Sequence, residues 1–322
     1  RNSFLSFAKI TGTGIYLPDK ILSNKDLESI VDTSDEWIKT RTGISERRIL
    51  DEDKATSYMC IKASQDALKN ANVSSKDIDG IIVATVTGDF ITPSVGCILQ
   101  DKLQTRNIFA FDISAGCSGF IYALKIGRSL IENGEAKKLL IVGGENLSRI
   151  TDYKDRGTCV LFGDAAGAVV LEESNEPGIL SVCLGSSGAE GELLFVPGGG
   201  SKDPSGYRFL KMEGKEVFKE AVKAIQANSI EAIEEAGMTP EDINLFIPHQ
   251  ANLRIIEAAR ERLNMSLDKC YVNIDKYGNT SSASVLLALH EALGESKIKK
   301  GDNILFSVFG AGFAWGSAVV RW

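Results

Sequence analysis

Residues 64–83, SQDALKNANVSSKDIDGIIV, decide the fold, because the chain repeats their pattern at 229–248, SIEAIEEAGMTPEDINLFIP. Each stretch predicts a helix, a turn with an acidic start and then an apolar strand. Matched positions stand 165 residues apart, among them Ala67 with Ala232 and Asp77 with Asp242. The same spacing continues into a later helix and a later strand, 123–124 with 288–289 and 139–143 with 304–308. One register held through three elements indicates an internal duplication.

Helical and apolar runs alternate along the chain, which is typical of α/β proteins. In the first half the predicted elements are a helix at 56–71, strands at 80–86 and 108–113, a helix at 117–132, and strands at 138–143 and 165–172. The short β-branched runs in IVGG and VFGAG suit strands that are buried on both faces.

We therefore predict two related halves, residues 1–175 and 176–322, each with its own sheet. The two sheets would pack back to back, with helices between them and outside them. Residues 185–215 are rich in glycine, serine and proline and have no counterpart in the first half. Long irregular insertions usually form lids or binding loops, so we expect this one to border a pocket.

Composition predicts a soluble globular protein. The chain has 322 residues, 43% hydrophobic and 25% charged. Its apolar runs are far shorter than the roughly 18 residues that a membrane span needs. The net charge of −7 argues against broad affinity for nucleic acid. The first residues lack the apolar core of a secretory signal, so we expect a cytoplasmic protein that binds neither membrane nor nucleic acid.

Sequence motifs predict neither a metal nor a nucleotide cofactor. The six cysteines include no CxxC pair, and there are only two histidines, so a zinc site is not expected. At this length and cysteine density we expect reduced thiols and no disulfide framework. A P-loop, a complete dinucleotide fingerprint and a GxSxG nucleophile elbow are all missing from the sequence.

Cys117 is the first candidate for chemistry. It stands in DISAGCSGFIYALKIG, residues 112–127, between a predicted strand and a predicted helix. The unpaired N–H groups and the dipole of a helix N-terminus favour the thiolate, which is the reactive form of cysteine. Gly116 and Gly119 would let a substrate approach closely. A buried structural thiol is the alternative interpretation of the same pattern.

His249 and Asn279 are the second and third candidates. His249 follows the apolar strand INLFIP at its carboxyl end, where active groups of α/β sheets collect, although a packed histidine is the alternative. Asn279 reads locally as a helix cap or a turn residue. The duplication pairs Cys117 with Ser282, three residues after Asn279, so the two loops should approach each other. The three candidates would then share one pocket, while His290 reads as a helix-side histidine.

Seven motifs together resemble one known family. They are DTSDEWIKTRTGI (32–44), AGCSGF (115–120), DRGTCVLFGDAAGAV (155–169), KMEGKEVFK (211–219), IPHQANLRII (247–256), YGNTSSAS (277–284) and FGAGFAWGS (309–317). The chain resembles the β-ketoacyl-acyl-carrier-protein synthases of type III, the condensing enzymes that start type II fatty-acid synthesis. The resemblance implies the thiolase fold, a five-layered αβαβα arrangement of two related halves, and a homodimer.

The resemblance also implies a Cys-His-Asn triad, which falls on Cys117, His249 and Asn279. Cys117 would take an acyl group from acetyl-CoA, or another short acyl-CoA, and release CoA. Malonyl-acyl carrier protein would then lose carbon dioxide while His249 and Asn279 donate hydrogen bonds to its thioester oxygen. The resulting enolate would attack the acyl-cysteine and give acetoacetyl-acyl carrier protein. Acyl-CoA is thus a substrate, and no cofactor is implied.

Further site residues follow from the same resemblance. The oxyanion hole would use the backbone N–H groups of Cys117 and Ala311. This chain has FGAGF where FGGGF is common, and the added methyl of Ala311 is expected to narrow the pocket or shift the loop. Phe90, which often comes from the partner subunit in this family, and Leu161 would line the acyl pocket. A phenylalanine at that place predicts a short acyl group, most simply acetyl.

The resemblance assigns four residues to CoA. Trp37 and Arg156 would sandwich the adenine, an aromatic and guanidinium stacking role, although a surface contact between Trp37 and an arginine is the alternative. Arg41 lies one helical turn beyond Trp37 on the same face. Asn252 would hydrogen-bond the pantetheine arm.

Carrier protein is acidic, so its docking surface should be basic, and the candidates are Lys219, Arg254 and Arg262. Some relatives have two adjacent basic residues where this chain has Glu261 and Arg262. Charged helix residues are otherwise usually solvated surface.

Two other functions remain open at this level. One is a specialised condensing enzyme of secondary metabolism that uses the same triad. The other is a cysteine acyl-thioester hydrolase, since a Cys-His-Asn group also suits hydrolysis.

Overall fold

The computed structural model describes residues 6–322. Its strands are β1 (Phe7–Tyr16), β2 (Lys20–Ser23), β3 (Glu46–Ile49), β4 (Gly80–Ala84), β5 (Phe109–Ile113), β6 (Lys138–Glu145), β7 (Ala165–Ser174), β8 (Ile179–Ser186), β9 (Leu194–Phe195), β10 (Lys211–Met212), β11 (Leu245–Pro248), β12 (Asn303–Gly310) and β13 (Ala314–Arg321). Its helices are α1 (Asn24–Glu28), α2 (Asp35–Thr42), α3 (Thr56–Ala71), α4 (Val95–Lys102), α5 (Gly119–Glu132), α6 (Arg156–Cys159), α7 (Gly214–Glu235), α8 (Leu253–Arg262), α9 (Ile274–Tyr277) and α10 (Ser284–Gly294).

Two mixed sheets form the centre of the molecule. The first has the strand order β1-β7-β6-β4-β5, and the second has the order β8-β13-β12-β11. Strands β4 and β6 are parallel in the first sheet, as are β11 and β12 in the second. The next strand in each sheet, β7 or β13, runs antiparallel to its neighbour β6 or β12. Two small antiparallel sheets of two strands each, β2-β3 and β9-β10, lie outside these sheets.

The layers follow from which helices touch which sheet. Helices α5 and α10 lie between the two sheets, and each contacts strands of both. Helices α3 and α4 cover the outer face of the first sheet, and α7 covers the outer face of the second, with α8 against it. This is the five-layered αβαβα arrangement predicted from the sequence. Within residues 6–322, no helix combines the length and the apolar character that crossing a membrane requires.

The 165-residue spacing holds in three dimensions. Strand β6 (138–145) matches β12 (303–310) residue for residue, and two one-turn 3-10 helices match in the same way, 75–77 with 240–242 and 116–118 with 281–283. The counterparts β7 and β13 hold equivalent places in their sheets, as do β1 and β8. The predicted division at residues 175 and 176 stays a prediction, although one sheet ends at Ser174 and the other starts at Ile179.

One difference between the halves sets the shape of the first sheet. Where the first half has β5 (109–113), the second half has the short helix α9 at 274–277. The first sheet therefore gains a fifth strand, and β5 becomes its edge.

Helix α5 ties the two halves together. Phe120, Ala123, Leu124 and Ile131 recur at helical spacing and are fully buried. The Phe120 ring meets Phe306 of β12 edge to face, with centroids 6.4 Å apart. Burying a side chain of this size contributes roughly 1.5–3 kcal/mol. This packing fixes the N-terminal end of α5, and hence Cys117, against the second half.

The insertion at 185–215 is less irregular than its composition predicts. Its first two residues complete β8, and it includes a 3-10 segment at 188–193 and the antiparallel strand pair β9-β10. Leu194 and Leu210 are buried against the cluster that surrounds the pocket described below. The insertion therefore forms a packed wall.

Candidate active site

Cys117 lies at the junction of β5 and α5. It is the middle residue of the one-turn 3-10 helix 116–118, which leads directly into α5. Gly116 has a left-handed φ of 53°, and a Cβ there would lie 3.0 Å from both N and O of Ala311. Glycine is therefore required both for the turn and for the close approach of the FGAGF loop.

Burial outweighs the helix N-terminus at this thiol. Cys117 is 9% exposed, and its surroundings raise the pKa of the thiol to about 12, chiefly through desolvation. The Ser281 side chain offsets part of this rise, while the charge of Glu145 adds to it. Burial thus favours the neutral thiol and opposes the thiolate that the helix start was expected to favour.

His249 directly follows β11, and its backbone continues the pairing of that strand. Its N–H donates to Ser307 O at 2.8 Å, which continues the pairing of β11 with β12. The side chain is 1% exposed, and neither ring nitrogen has a hydrogen-bond partner among residues 6–322. Desolvation lowers the pKa of His249 to about 3, so the ring is neutral. A buried polar group without a partner is costly, and here it marks a place that a ligand can complete.

The backbone of Asn279 is anchored to the segment that precedes β7. Its N–H donates to Leu161 O at 2.8 Å, and its C=O accepts from Gly163 N at 2.9 Å. The Oδ1 atom accepts from Ser281 N at 2.9 Å, which leaves the amide NH2 group to donate. This Asx turn agrees with the local interpretation of Asn279 as a turn residue, and it also orients the side chain as a hydrogen-bond donor.

The loop FGAGF packs directly on the cysteine. A Cβ on Gly310 would lie 2.6 Å from Cys117 N, so this position admits only glycine without a shift of the backbone. Phe309 stacks on Phe313 with centroids 6.0 Å apart and meets the His249 ring at 5.4 Å. Gly310 thus packs on Cys117, and Gly116 packs on Ala311. The two predicted oxyanion residues, Cys117 and Ala311, therefore lie on two loops that are in contact.

One pocket unites most of the predicted residues. It has a volume of about 160 Å³ and is lined by Cys117, His249 and Asn279. The predicted CoA residues Trp37, Arg41 and Asn252 and the predicted acyl-pocket residue Leu161 also line it. The insertion contributes three further lining residues, Leu194, Met212 and Gly214. The three candidates that the duplication was predicted to bring together therefore do line one pocket.

The ring of Trp37 makes cation–π contacts with two arginines. The guanidinium carbons of Arg156 and Arg41 lie 4.9 Å and 5.9 Å from the centre of its ring. Arg156 also donates to Asp32 O at 3.1 Å. A flat base cannot enter between a ring and a guanidinium that are already in contact, so an adenine sandwich requires Arg156 to move away from Trp37.

Asn252 has two structural partners. It caps α8, because its Oδ1 accepts from Arg254 N at 2.9 Å, and its Nδ2 donates to Arg41 O at 3.1 Å. Contact with a pantetheine arm would therefore add to a helix cap or replace part of it.

The basic candidates differ in their distance along the chain from the pocket lining. Lys219 on α7 follows the lining residue Phe218, and Arg254 on α8 precedes the lining residue Ile255. Both basic side chains are exposed. Arg262 is two turns further along α8 and contacts Gln226 at 3.4 Å. Two of the three candidates thus flank residues of the pocket.

Phe90 is not part of this pocket. It is 65% exposed on the loop between β4 and α4, and the adjacent Ile91 is fully exposed. A second cavity, of about 980 Å³, lies on the other side of Gly116 and Ala311. Phe90 does not line this cavity within its own chain, although Val86 and Asp89 of the same loop do.

Sequence reasoning missed Glu145, a buried carboxylate whose charge acts on the Cys117 thiol. Glu145, at the end of β6, is fully buried and accepts hydrogen bonds from Ser281 and Ser282. The available signal was a glutamate closing the apolar run KLLIVGGE, because charged residues are seldom fully buried without partners.

Known proteins match this chain over its whole length. Two profiles, described as 3-oxoacyl-[acyl-carrier-protein] synthase III and its C-terminal part, match residues 111–188 and 233–322. A beta-ketoacyl-[acyl-carrier-protein] synthase III of Caldanaerobacter subterraneus is 54% identical over 98% of each chain. The solved synthase III of Aquifex aeolicus is 49% identical, with a TM-score of 0.93 over 98% of this chain and 100% of that one. The solved priming β-ketosynthase of the R1128 polyketide pathway is 37% identical, with a TM-score of 0.94 over 98% and 96%.

The layered fold and the buried pocket with its cysteine define a condensing enzyme of the acyltransferase type with the thiolase fold. The chain belongs to the 3-oxoacyl-[acyl-carrier-protein] synthase III family. The family that the seven motifs resembled is therefore confirmed.

Proposed function

We propose that this chain starts fatty-acid synthesis by condensing a short acyl group from acyl-CoA with malonyl-acyl carrier protein. One observation carries the proposal: Cys117, His249 and Asn279 line one pocket, and within the described part of the chain nothing hydrogen-bonds the ring nitrogens of His249. Membership of the synthase III family supports the same reaction.

The first step is acyl transfer to the cysteine. The Sγ atom of Cys117 attacks the thioester carbon of acyl-CoA, and the bond from that carbon to the CoA sulfur breaks. Because the thiol is neutral in the free protein, its proton must leave as the new bond forms. We assign the neutral imidazole of His249 as the group that relays this proton to the sulfur of the departing CoA in one concerted step, so that no imidazolium accumulates.

The second step is decarboxylative condensation. The carboxylate of malonyl-acyl carrier protein leaves as carbon dioxide, and its electron pair becomes an enolate. An N–H of His249 and the amide of Asn279 donate to the enolate oxygen, and the low pKa of His249 keeps the ring neutral as it does so. The enolate carbon attacks the acyl-cysteine, the backbone N–H groups of Cys117 and Ala311 stabilise the oxyanion, and the sulfur of Cys117 leaves. The products are acetoacetyl-acyl carrier protein, CoA and carbon dioxide, with no cofactor.

The carrier protein is proposed to dock beside the pocket mouth. Lys219 and Arg254 are exposed and adjacent in sequence to pocket-lining residues, so they can meet an acidic partner while its substrate arm enters. Arg262 would then contribute mainly to the long-range field.

A homodimer is proposed to form along β5. This strand is the edge of the first sheet, and Phe109 on it is 37% exposed. An unpaired edge strand with exposed apolar side chains favours pairing with a second copy. Phe90 and Ile91 of the second copy could then fill the cavity of about 980 Å³ beside Gly116 and Ala311. Phe90 would reach the acyl pocket from the partner subunit in this way.

A second function is a priming synthase of a secondary pathway. The observation that favours it is the 37% identity and TM-score of 0.94 to a priming β-ketosynthase of polyketide synthesis. Both functions share the chemistry of Cys117, so the starter acyl group and the carrier protein distinguish them.

The test is a reconstituted reaction. The protein is mixed with acetyl-CoA and malonyl-acyl carrier protein, and the carrier species are followed by intact mass. We expect acetoacetyl-acyl carrier protein with release of one CoA. Acetate as the main product would instead indicate the hydrolase that the sequence left open. Turnover restricted to longer or branched starters would indicate the secondary pathway.

A further inference from the structure

Glu145 is a buried carboxylate for which the steps above have no use. It ends β6, is fully buried, and is near enough to Cys117 for its charge to raise the pKa of that thiol. Its 165-residue counterpart is Gly310, the residue that packs on Cys117 N. In the same way Ala84 is the counterpart of His249, and Ser282 is the counterpart of Cys117. The duplicated copy of the catalytic pocket is thus occupied by the Glu145 side chain.

Five groups donate hydrogen bonds to this carboxylate. They are the hydroxyls of Thr85 and Thr87, the Val86 N–H, and the hydroxyls of Ser281 and Ser282. The two serine hydroxyls lie 3.3 Å and 3.2 Å from Oε1. Glu145 therefore joins the segment after β4 to the turn that follows Asn279.

The turn after Asn279 needs such support. Ser281 has a left-handed φ of 52°, which a non-glycine residue keeps only when its surroundings hold it. Its counterpart in the first half is Gly116, with a φ of 53°, where glycine meets the same requirement at no steric cost. Ser281 instead carries a side chain, and that side chain bonds Glu145.

Ser281 also orients the side-chain amide of Asn279. Ser281 N donates to Asn279 Oδ1 at 2.9 Å, which turns the NH2 group of Asn279 towards donation. The Ser281 hydroxyl is also near enough to Cys117 to lower the pKa of its thiol. A change at Glu145 is thus transmitted through Ser281 to the Asn279 amide.

We propose that Glu145 is a positioning residue for the condensation step, because its carboxylate holds the Ser281 turn that orients the Asn279 amide. The proposal rests on the roles proposed above for Asn279 and Cys117. It predicts that loss of the carboxylate slows decarboxylation of malonyl-acyl carrier protein more than it slows acyl transfer, since Asn279 acts in the second step.

The ionisation of Glu145 predicts a pH dependence of condensation, which a purely structural role of this residue would not produce. Burial raises the pKa of Glu145 to about 7, so the carboxylate is mostly ionised above this pH and protonated below it. The titratable groups that feel its charge are the thiols of Cys117 and of Cys60 on α3, both with pKa values raised by burial. Protonated Glu145 must donate its own hydrogen to a neighbour and loses one accepted bond. Condensation should therefore weaken as the pH falls through about 7.

The experiment compares Glu145→Gln, Glu145→Asp and the wild type in the two half reactions. Acyl transfer from acetyl-CoA alone is measured by intact mass, and decarboxylation by carbon dioxide release from malonyl-acyl carrier protein. For Glu145→Gln we expect decarboxylation to fall roughly 10- to 100-fold, with acyl transfer within about threefold, as for loss of a hydrogen bond to a charged group. Glu145→Asp, which keeps the charge, should recover part of the loss. The wild-type fall in decarboxylation below pH 7 should be absent from Glu145→Gln.

Asp164→Asn is the matched control, because Asp164 is also a fully buried carboxylate that accepts from Leu50 N and Ser148. It should lower the melting temperature without changing the ratio of the two half reactions. Equal losses in both half reactions for Glu145→Gln, or the same ratio change in Asp164→Asn, would overturn the proposal. So would a pH profile of Glu145→Gln that follows the wild type. Absence of wild-type acylation would instead reject the function on which the proposal rests.

Discussion

Cys117 and Ser282 occupy the same place in the two halves of the chain, 165 residues apart, each within a one-turn 3-10 helix that starts a central helix. A Cβ on Gly119 would lie 3.8 Å from the Cβ of Ser282, so the two starts meet at the centre of the molecule. Only the cysteine faces the pocket with His249 and Asn279. The serine is directed to Ala84 O and to Glu145. The duplication thus supplied two equivalent turns, and we propose that one carries the nucleophile while the other supports the site.

The first prediction separates the triad members. His249→Ala or Asn279→Ala should lower decarboxylation of malonyl-acyl carrier protein ~100-fold or more, because each removes a donor to the enolate oxygen. Asn279→Ala should still form the acyl-enzyme at a rate near that of the wild type. Rates of both half reactions by rapid quench and intact mass provide the test. If Asn279→Ala stopped acyl transfer as severely as decarboxylation, the division of roles would be wrong.

The second prediction concerns the protonation of His249. Burial lowers its pKa to about 3, so the ring should remain neutral from pH 8 down to pH 5. The check is the imidazole nitrogen shifts of labelled protein in a His290→Asn background, where one histidine remains. A titration of that histidine near its ordinary value of about 6.5 would contradict the buried, unpaired site.

The third prediction tests the contact between the FGAGF loop and the cysteine. Gly310→Ala puts a methyl 2.6 Å from Cys117 N and must displace one of the two backbones. We expect condensation to fall ~100-fold, the scale for loss of an oxyanion donor. Gly188→Ala is the matched control, because a Cβ there meets nothing within 4 Å and its φ is not left-handed. Activity of Gly310→Ala close to that of Gly188→Ala would show that Cys117 tolerates a shifted loop.

The fourth prediction compares two arginines on one helix. Arg254→Glu should raise the Michaelis constant for the malonyl carrier protein about tenfold, whereas Arg262→Glu should change it less than about threefold. Arg254 precedes a pocket-lining residue, and Arg262 lies two turns further along α8. Steady-state kinetics at two salt concentrations measure both, and the difference should shrink at high salt. Equal effects of the two reversals would move the docking surface away from the pocket mouth.

Sequence reasoning reached the fold because duplication leaves a pattern that survives without coordinates. The paired stretches 64–83 and 229–248 fix the register, and that register brought Cys117 opposite the turn of Asn279. It could not reveal that α9 stands where β5 would be repeated, because a four-residue segment has too few positions to show a period.

Side-chain environments were the other limit. The helix start at Cys117 predicted a thiolate, yet the pKa of the thiol rises to about 12, because burial by distant segments outweighs the local dipole. Glu145 and its five donors were not identified, since they come from three separate segments. The roles of Trp37, Arg156 and Phe90 stay predictions, because they depend on a ligand and a second subunit.

The central claim is that Cys117 carries the acyl group. Incubation with acetyl-CoA alone, followed by intact mass and peptide mapping, tests it most directly. We predict one acetyl adduct per chain, located on Cys117 and missing from Cys117→Ala, while the buried thiol of Cys60 stays unmodified. An adduct that persists in Cys117→Ala, or no adduct with any short acyl-CoA, would contradict the account.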